Sequence, residues 1–327
     1  MRHRLLSAFT VTLLAGGASA APFPVVNAGF ENIVGEAVVN EFTFGPLTGW
    51  DLYDPGLVTS GGDGPQYYIG TLTPFEPNPV TEPGVFTNFP DGAAEGQRVA
   101  IAFNFAGTGD GGEYGLQQDL GVPLAPFTSY TLRVEIGNIA SGTAISGQFF
   151  DLEGFSGYRV ELTVDGVMVA QDNNTLSGGI DEGDFATSRF TFNTGDEASL
   201  PAGDLGIRLV HLNEIDPSAP NANLEVDFDD VRLDVRLIGD ANDDGAVDLL
   251  DFDALAQAFG ASTAGGPGAA DFNGDGAVDL LDFDLLAQNF GVPGNGAAAI
   301  PEPASGFVVG LAVLAVDCPR RRRRARR

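Results

Sequence analysis

Lysine is absent from the 327 residues, cysteine occurs once and histidine twice, against 45 Asp and Glu. All sixteen basic residues are arginine: two precede Leu5, seven fill most of the last eight positions, and only Arg98, Arg133, Arg159, Arg189, Arg208, Arg232 and Arg236 lie between. The formal net charge of −29 therefore understates the acidity of the central chain. Such a surface repels nucleic acid and stays soluble by self-repulsion, which excludes a DNA or RNA partner. The lone Cys318 excludes an intramolecular disulfide, so small modules need another brace, and a metal ion is the candidate. His211 is the only histidine after His3, and no Gly-x-Ser-x-Gly motif accompanies it, which argues against a Ser-His-Asp site. Paired-carboxylate chemistry stays open, because the separation of two acids is not readable from sequence.

The N-terminus orders its residues as a secretory signal does: Arg2 and Arg4, the apolar run from Leu5 to Ala15, then "GGASAA" with cleavage expected near Ala20 or Ala21. From 22 to 237 the chain is rich in Gly, Pro, Asn and Thr and shows period-two alternation without helical periodicity. In "YRVELTVDG" Tyr158, Val160, Leu162 and Val164 face one way, and Asp165-Gly166 supplies a hairpin turn. "YTLRVEI" alternates likewise, and further strands are expected at 98–105, 188–192, 205–212 and 224–235. The last run changes phase after Phe228, which puts a bulge at Asp229-Asp230. The expected fold is mainly β, a jelly-roll β-sandwich, followed by a small all-α calcium module and a C-terminal hydrophobic helix.

The phrase "GDANDDGAVDLLDFDALAQAFG" at 239–260 returns as "ADFNGDGAVDLLDFDLLAQNFG" at 270–291 with five changes in 22 positions. A hard dication wants about seven oxygens, and alternate positions of a tight loop turn inward. Asp240, Asn242, Asp244, the Ala246 carbonyl, Asp248 and Asp251 fill positions 1, 3, 5, 7, 9 and 12 of such a loop, with Gly245 at the turn. Asp271, Asn273, Asp275, the Ala277 carbonyl, Asp279 and Asp282 repeat the set, so two calcium ions are expected. Each loop runs into one helix that ends at a glycine, and the entering helix of a full EF-hand is missing. These residues resemble type I dockerin repeats. The resemblance implies two units packed about a pseudo-twofold axis, with positions 10 and 11 contacting a cohesin-like partner. Here those positions are Leu249-Leu250 and Leu280-Leu281, which either form a docking face or close the core between the units.

After the Gly/Ala linker 292–299 come "IPEP", the apolar "ASGFVVGLAVLAV" and "RRRRRARR". This order resembles the PEP-CTERM sorting signal of bacteria, which implies recognition of Pro301-Glu302-Pro303 by an exosortase-type enzyme, transient membrane contact through 300–327, and delivery to the cell envelope or outer surface. The thirteen-residue apolar run is short for a bilayer.

"VVNAGFEN" at 25–32 and "VDFDDVRL" at 226–233 resemble the first and last strands of galactose-binding-like jelly rolls, among them carbohydrate-binding modules. That resemblance implies one structural calcium on Glu31 with Asp229 or Asp230. It also implies a polysaccharide ligand stacked on exposed aromatics, for which Trp50, Tyr53, Tyr67, Tyr68 and Tyr114 are the candidates; the Phe-rich "FNF" and "QFF" are assigned to the sandwich interior. The sequence thus reads as an exported, non-catalytic protein that binds carbohydrate or matrix. A glycoside hydrolase component acting on O-glycosyl bonds and a purely structural matrix protein are the alternatives.

Overall fold

The computed structural model describes residues 23–74, 88–105, 111–262 and 270–292. The expected signal segment, most of the linker and the sorting tail with Pro301, Glu302 and Pro303 lie outside the described residues. Among the described residues no helix is long and apolar enough to cross a membrane.

The strands are β1 (Ala37–Val39), β2 (Phe42–Phe44), β3 (Asp51–Tyr53), β4 (Tyr67–Leu72), β5 (Val99–Asn104), β6 (Tyr114–Pro123), β7 (Thr128–Asn138), β8 (Gly142–Thr143), β9 (Phe149–Phe150), β10 (Tyr158–Val164), β11 (Val167–Asn173), β12 (Asp184–Asn193), β13 (Asp204–His211) and β14 (Leu224–Leu237). They form a seven-stranded sheet, β1-β2-β4-β5-β14-β7-β12, a five-stranded sheet, β11-β10-β13-β6-β3, and the small β8-β9 hairpin. Every strand pairing among the described residues is antiparallel.

Alternation decides what lies between the sheets. Tyr158, Val160, Leu162 and Val164 of β10 meet Tyr130, Leu132, Val134 and Ile136 of β7, together with Val226 and Phe228 of β14, in one core. Each fully buried side chain of this size contributes about 1.5–3 kcal/mol of hydrophobic stabilisation. Asp165 and Gly166 both take positive φ, +48° and +74°, and so close the β10-β11 hairpin with a turn whose twist matches the strands. The phase change in β14 is a bulge: the register with β7 shifts between Asp229 and Arg232, and Asp230 has φ +48°.

A second apolar cluster lies on the outer face of the seven-stranded sheet, under the β8-β9 hairpin. Ile101 and Phe103 belong to it while Ala100 and Ala102 face the inner core, so β5 is buried on both faces.

Beyond β14 the duplicated phrase folds as two loop-helix units with α1 (Leu249–Ala258) and α2 (Leu280–Asn289). Gly260 N–H donates to the Val278 carbonyl and Gly291 N–H to the Val247 carbonyl, a reciprocal pair that relates the units by a local twofold. Their shared core is Ile238, Ala241, Val247, Leu255, Ala270, Phe272, Val278 and Leu286.

Candidate active site and calcium loops

One register row crosses six strands on the outer face of the large sheet: Phe44, Gly70, Ile101, Asp227, Gly137 and Phe185 stand side by side. Opposed residues in antiparallel strands point to the same face, so these side chains share one environment. The next row holds Tyr68, Phe103 and Glu225. Tyr68 stacks on Phe103 with centroids 4.8 Å apart and meets Phe44 edge-on at 5.1 Å. Phe150 of the hairpin packs edge-on against Phe103 at 5.7 Å, and Phe89 stacks on Phe185 at 4.3 Å.

Two carboxyls stand in this aromatic enclosure. Asp227 is 0 % exposed and neither of its oxygens has a hydrogen-bond partner; Glu225 is also buried, with Oε1 unpartnered. A buried carboxylate without a counter-charge takes up a proton instead. Burial pushes Glu225 up to about 8, and it pushes Asp227 well above the ordinary carboxylate range, with Glu225 and Asp229 adding to the rise. Burial thus favours the protonated form of both acids, and most strongly that of Asp227. A neutral carboxylic acid among aromatic faces can donate a proton, and the faces can stabilise the cation that results.

The alternation of Leu224, Val226 and Phe228 implies that Glu225 and Asp227 between them face water, whereas both are buried. The available signal was the neighbouring strand: "VAIAFN" is apolar at both parities, as a strand buried on both faces must be, so acids paired beside it could not reach water. The Phe-rich stretches need correction for the same reason. Phe103, Phe105 and Phe150 surround the outer-face cluster rather than the sandwich interior.

The candidate ligand aromatics separate. Trp50, Tyr67 and Tyr114 are buried between the sheets, where they offer no ring face to an external sugar. Tyr68 lies in the outer-face enclosure. The Tyr53 hydroxyl donates to Glu113 at 2.8 Å and its ring lies 4.1 Å from the Arg208 guanidinium carbon. Tyr53 thereby joins an ion-pair chain of Glu113, Arg159, Glu161 and Arg208 on the smaller sheet. His211 is fully buried, and burial lowers it to about 3. The Ser156 hydroxyl gives its one proton to the Glu225 carbonyl at 2.8 Å, so Nε2–H of His211 donates to Ser156 and Nδ1 accepts from Tyr114. This serine is no nucleophile.

In the first acidic loop Asp251 is fully buried, with Oδ1 accepting from the N–H of Ala241 and Asn242 and Oδ2 from that of Asp248. Asp240 accepts from Asp244 and Gly245, and burial followed by the Asp251 charge raises its pKa. Asp282 and Asp271 repeat these roles around Phe272, Asn273 and Gly276. Asp248 and Asp279 are the helix N-caps, accepting from Leu250 and Leu281. Among the described residues no group of three His, Cys, Asp or Glu side chains stands ready to hold an ion, because the loop carboxylates are turned to backbone N–H. The donor set nevertheless fits calcium: hard oxygens of Asp240, Asn242, Asp244 and Asp251 with the Ala246 carbonyl, on a turn that Gly245 makes at φ +84°. Leu249, Leu250, Leu280 and Leu281 are 57–69 % exposed, so they do not close the module core. Beside them Phe252, Leu255, Ala256, Phe259, Leu280 and Phe283 line an open apolar groove of about 390 Å³.

At the bulge, Asp229 accepts from the N–H of Glu95 and Asp230, while Glu31 accepts from Gln97 and Arg98. Both carboxylates therefore tie down the 95–98 segment, and Asp230 pairs with Arg232 instead.

A scan against protein families matches residues 21–234 to the HpiC1-like family, described as HpiC1 cyclase. The chain belongs to the HpiC1-like cyclase family. Residues 238–291 match the dockerin type I domain. A cyclase from Fischerella sp. TAU, solved in complex with 4-(1H-indol-3-yl)butan-2-one, is 32 % identical; the match covers 67 % of this chain and 98 % of that one, with a TM-score of 0.52. The Stig cyclase Fisc from Fischerella sp. TAU, in complex with (3Z)-3-(1-methyl-2-pyrrolidinylidene)-3H-indole, is 33 % identical over 67 % and 99 % of the two chains, again with a TM-score of 0.52. No curated protein matches this HpiC1-like chain in sequence. A type I dockerin module binds calcium, and the mainly β sandwich with two following helices stands as the sequence implied.

Proposed function

We propose that the sandwich is a catalytic domain rather than a non-catalytic binding module, and that Asp227 is its general acid. The observation that carries this reading is a carboxyl with neither oxygen partnered, buried in one row with Ile101, Gly137 and Phe185, with Phe89 closing over the glycine. The substrate class is a planar aromatic, indole-like ring bearing an unsaturated side chain, in keeping with the indole compounds bound by the Fischerella relatives. Asp227 gives its proton to a π-bond or imine nitrogen of the substrate, and the resulting cation is stabilised by the Tyr68, Phe103 and Phe150 rings. The side chain closes by a new carbon–carbon bond. The closed cation then returns a proton to the Asp227 carboxylate, so the reaction is an isomerisation in which no atom is gained or lost. Glu225, one alternate position away, raises the proton affinity of Asp227 and so favours its protonated, neutral form for the next turnover.

Calorimetric titration of 4-(1H-indol-3-yl)butan-2-one into the whole chain tests the ligand class. Binding that weakens in Phe103→Ala supports the reading. No binding by the unaltered chain, or affinity indifferent to Phe103, overturns it.

Around this domain we place two calcium ions in the dockerin loops, a cohesin-like partner on the exposed Leu pairs, and one ion at Glu31 and Asp229. The export signal and the PEP-CTERM-like tail send the protein to the envelope, where an exosortase-type enzyme processes it. Metal analysis separates the ion sites: Asp240→Ala with Asp271→Ala is expected to remove two ions of three.

A further inference from the structure

Strand β14 enters the first calcium loop without a spacer: the strand ends at Leu237 and Asp240 is already loop position 1. The second loop returns to the same sheet. Asn193, at the end of β12, donates its side-chain N–H to the Phe272 carbonyl at 3.4 Å. Gly274 lies against Thr191, so closely that a Cβ there would come within 2.7 Å of Oγ1 and 3.3 Å of the Thr191 Cβ. Between sheet and loops is a small cavity of about 20 Å³ lined by Thr131, Arg189, Thr191 and Arg236 on one side and Asp240 and Asp271 on the other. The buried Nε atoms of Arg189 and Arg236 have no hydrogen-bond partner, and both arginines line this cavity together with the leading aspartates of the two loops.

The two copies of the phrase diverge at position 4, where Gly274 meets Thr191. Position 2 is Ala241 in the first loop and Phe272 in the second; position 4 is Asp243 and then Gly274. The backbone does not demand that glycine, because Asp243 takes φ +59° and Gly274 takes φ +73°, the same left-handed conformation. In the second loop a side chain at position 4 would meet Thr191, so the strand would have to shift to admit one.

We infer that the second calcium loop is a fixed docking element of the sandwich, seated on β12 through Phe272 and Gly274, and that calcium binding in this loop is coupled to the order of β12. The backbone from 271 to 277 serves both purposes: its Asp271, Asn273 and Asp275 side chains hold the ion, and its Phe272 carbonyl and Gly274 Cα meet the strand. Fixing that segment once, by ion or by docking, lowers the ordering cost of the other, so the two favour each other reciprocally. The inference does not rest on the reading of Asp227.

Hydrogen–deuterium exchange on the whole chain, in calcium and in chelator, tests it. Calcium is expected to slow exchange in both α2 and β12, at β12 by about tenfold, within the usual range of site coupling. Gly274→Asn places a side chain that tolerates the left-handed backbone against Thr191. It is expected to keep the calcium response of α2 and to lose that of β12, and Thr191→Ala in the same chain is expected to restore it. A β12 that ignores calcium while α2 responds overturns the inference, as does a β12 response that survives Gly274→Asn. Absence of any calcium response in α2 overturns it too.

Discussion

Asp227 and Gly137 stand directly opposite each other on β14 and β7, and the space that a Gly137 side chain would fill holds Phe185, Phe89 and the Asp227 Cβ, each less than 3 Å from where a Cβ would be. The glycine lets two aromatic rings close over the acid. Gly137→Ala is therefore expected to cost about 1–3 kcal/mol, the usual range for overpacking a filled core. Urea unfolding of the variant beside the unaltered chain measures it, and weaker binding of the indole ketone should accompany the loss.

Protonation of the Glu225–Asp227 pair makes stability depend on pH with a definite sign. Both pKa values are raised by folding, so the native state binds more protons than the unfolded one above the ordinary carboxylate range. Their contribution is complete at acid pH and is lost as pH rises through the folded values, near 8 for Glu225. Asp227→Asn is expected to flatten the decline between pH 6 and 9, on the order of 1 kcal/mol or more per pKa unit removed, and thermal melts across that range would record it.

His211 acts in the opposite direction. Its folded value, lowered to about 3 by burial, means that the neutral ring contributes stability above the unfolded histidine range, and that this is lost as pH falls toward 3. His211→Gln should reduce the acid-side slope while removing a hydrogen bond to Ser156 or Tyr114. Comparing the melts of variant and unaltered chain at pH 4 and pH 7 reads the difference.

The exposed leucines give a prediction of a different kind. Leu250→Ser and Leu281→Ser touch no core, so unfolding free energy should change by less than about 0.5 kcal/mol. Binding to an immobilised cohesin panel should be lost in the double variant if any member captures the unaltered chain.

The alternation of Tyr158 to Val164 and the break in phase at Asp229 made the sandwich and its bulge legible, because a half-buried strand writes its inner face into the sequence. The dockerin module was equally legible, since its loop spacing is local and is written twice. The acid site was not. Asp227 meets Ile101 and Gly137, which lie 126 and 90 residues earlier in the chain, and no local spacing announces which strands will be neighbours. The Leu pairs show the same limit from the other side: whether position 10 is core or surface depends on how two units pack, which the repeat alone left open.

The most direct test of the account is the ionisation of Asp227, followed by carboxyl carbon NMR in the whole chain with Asp227→Asn as the reference for assignment. The account predicts a carboxyl resonance that stays in its protonated position at neutral pH, shifts only above the ordinary carboxylate range and is missing from the variant. An Asp227 that ionises in the ordinary range, near pH 4, would contradict it.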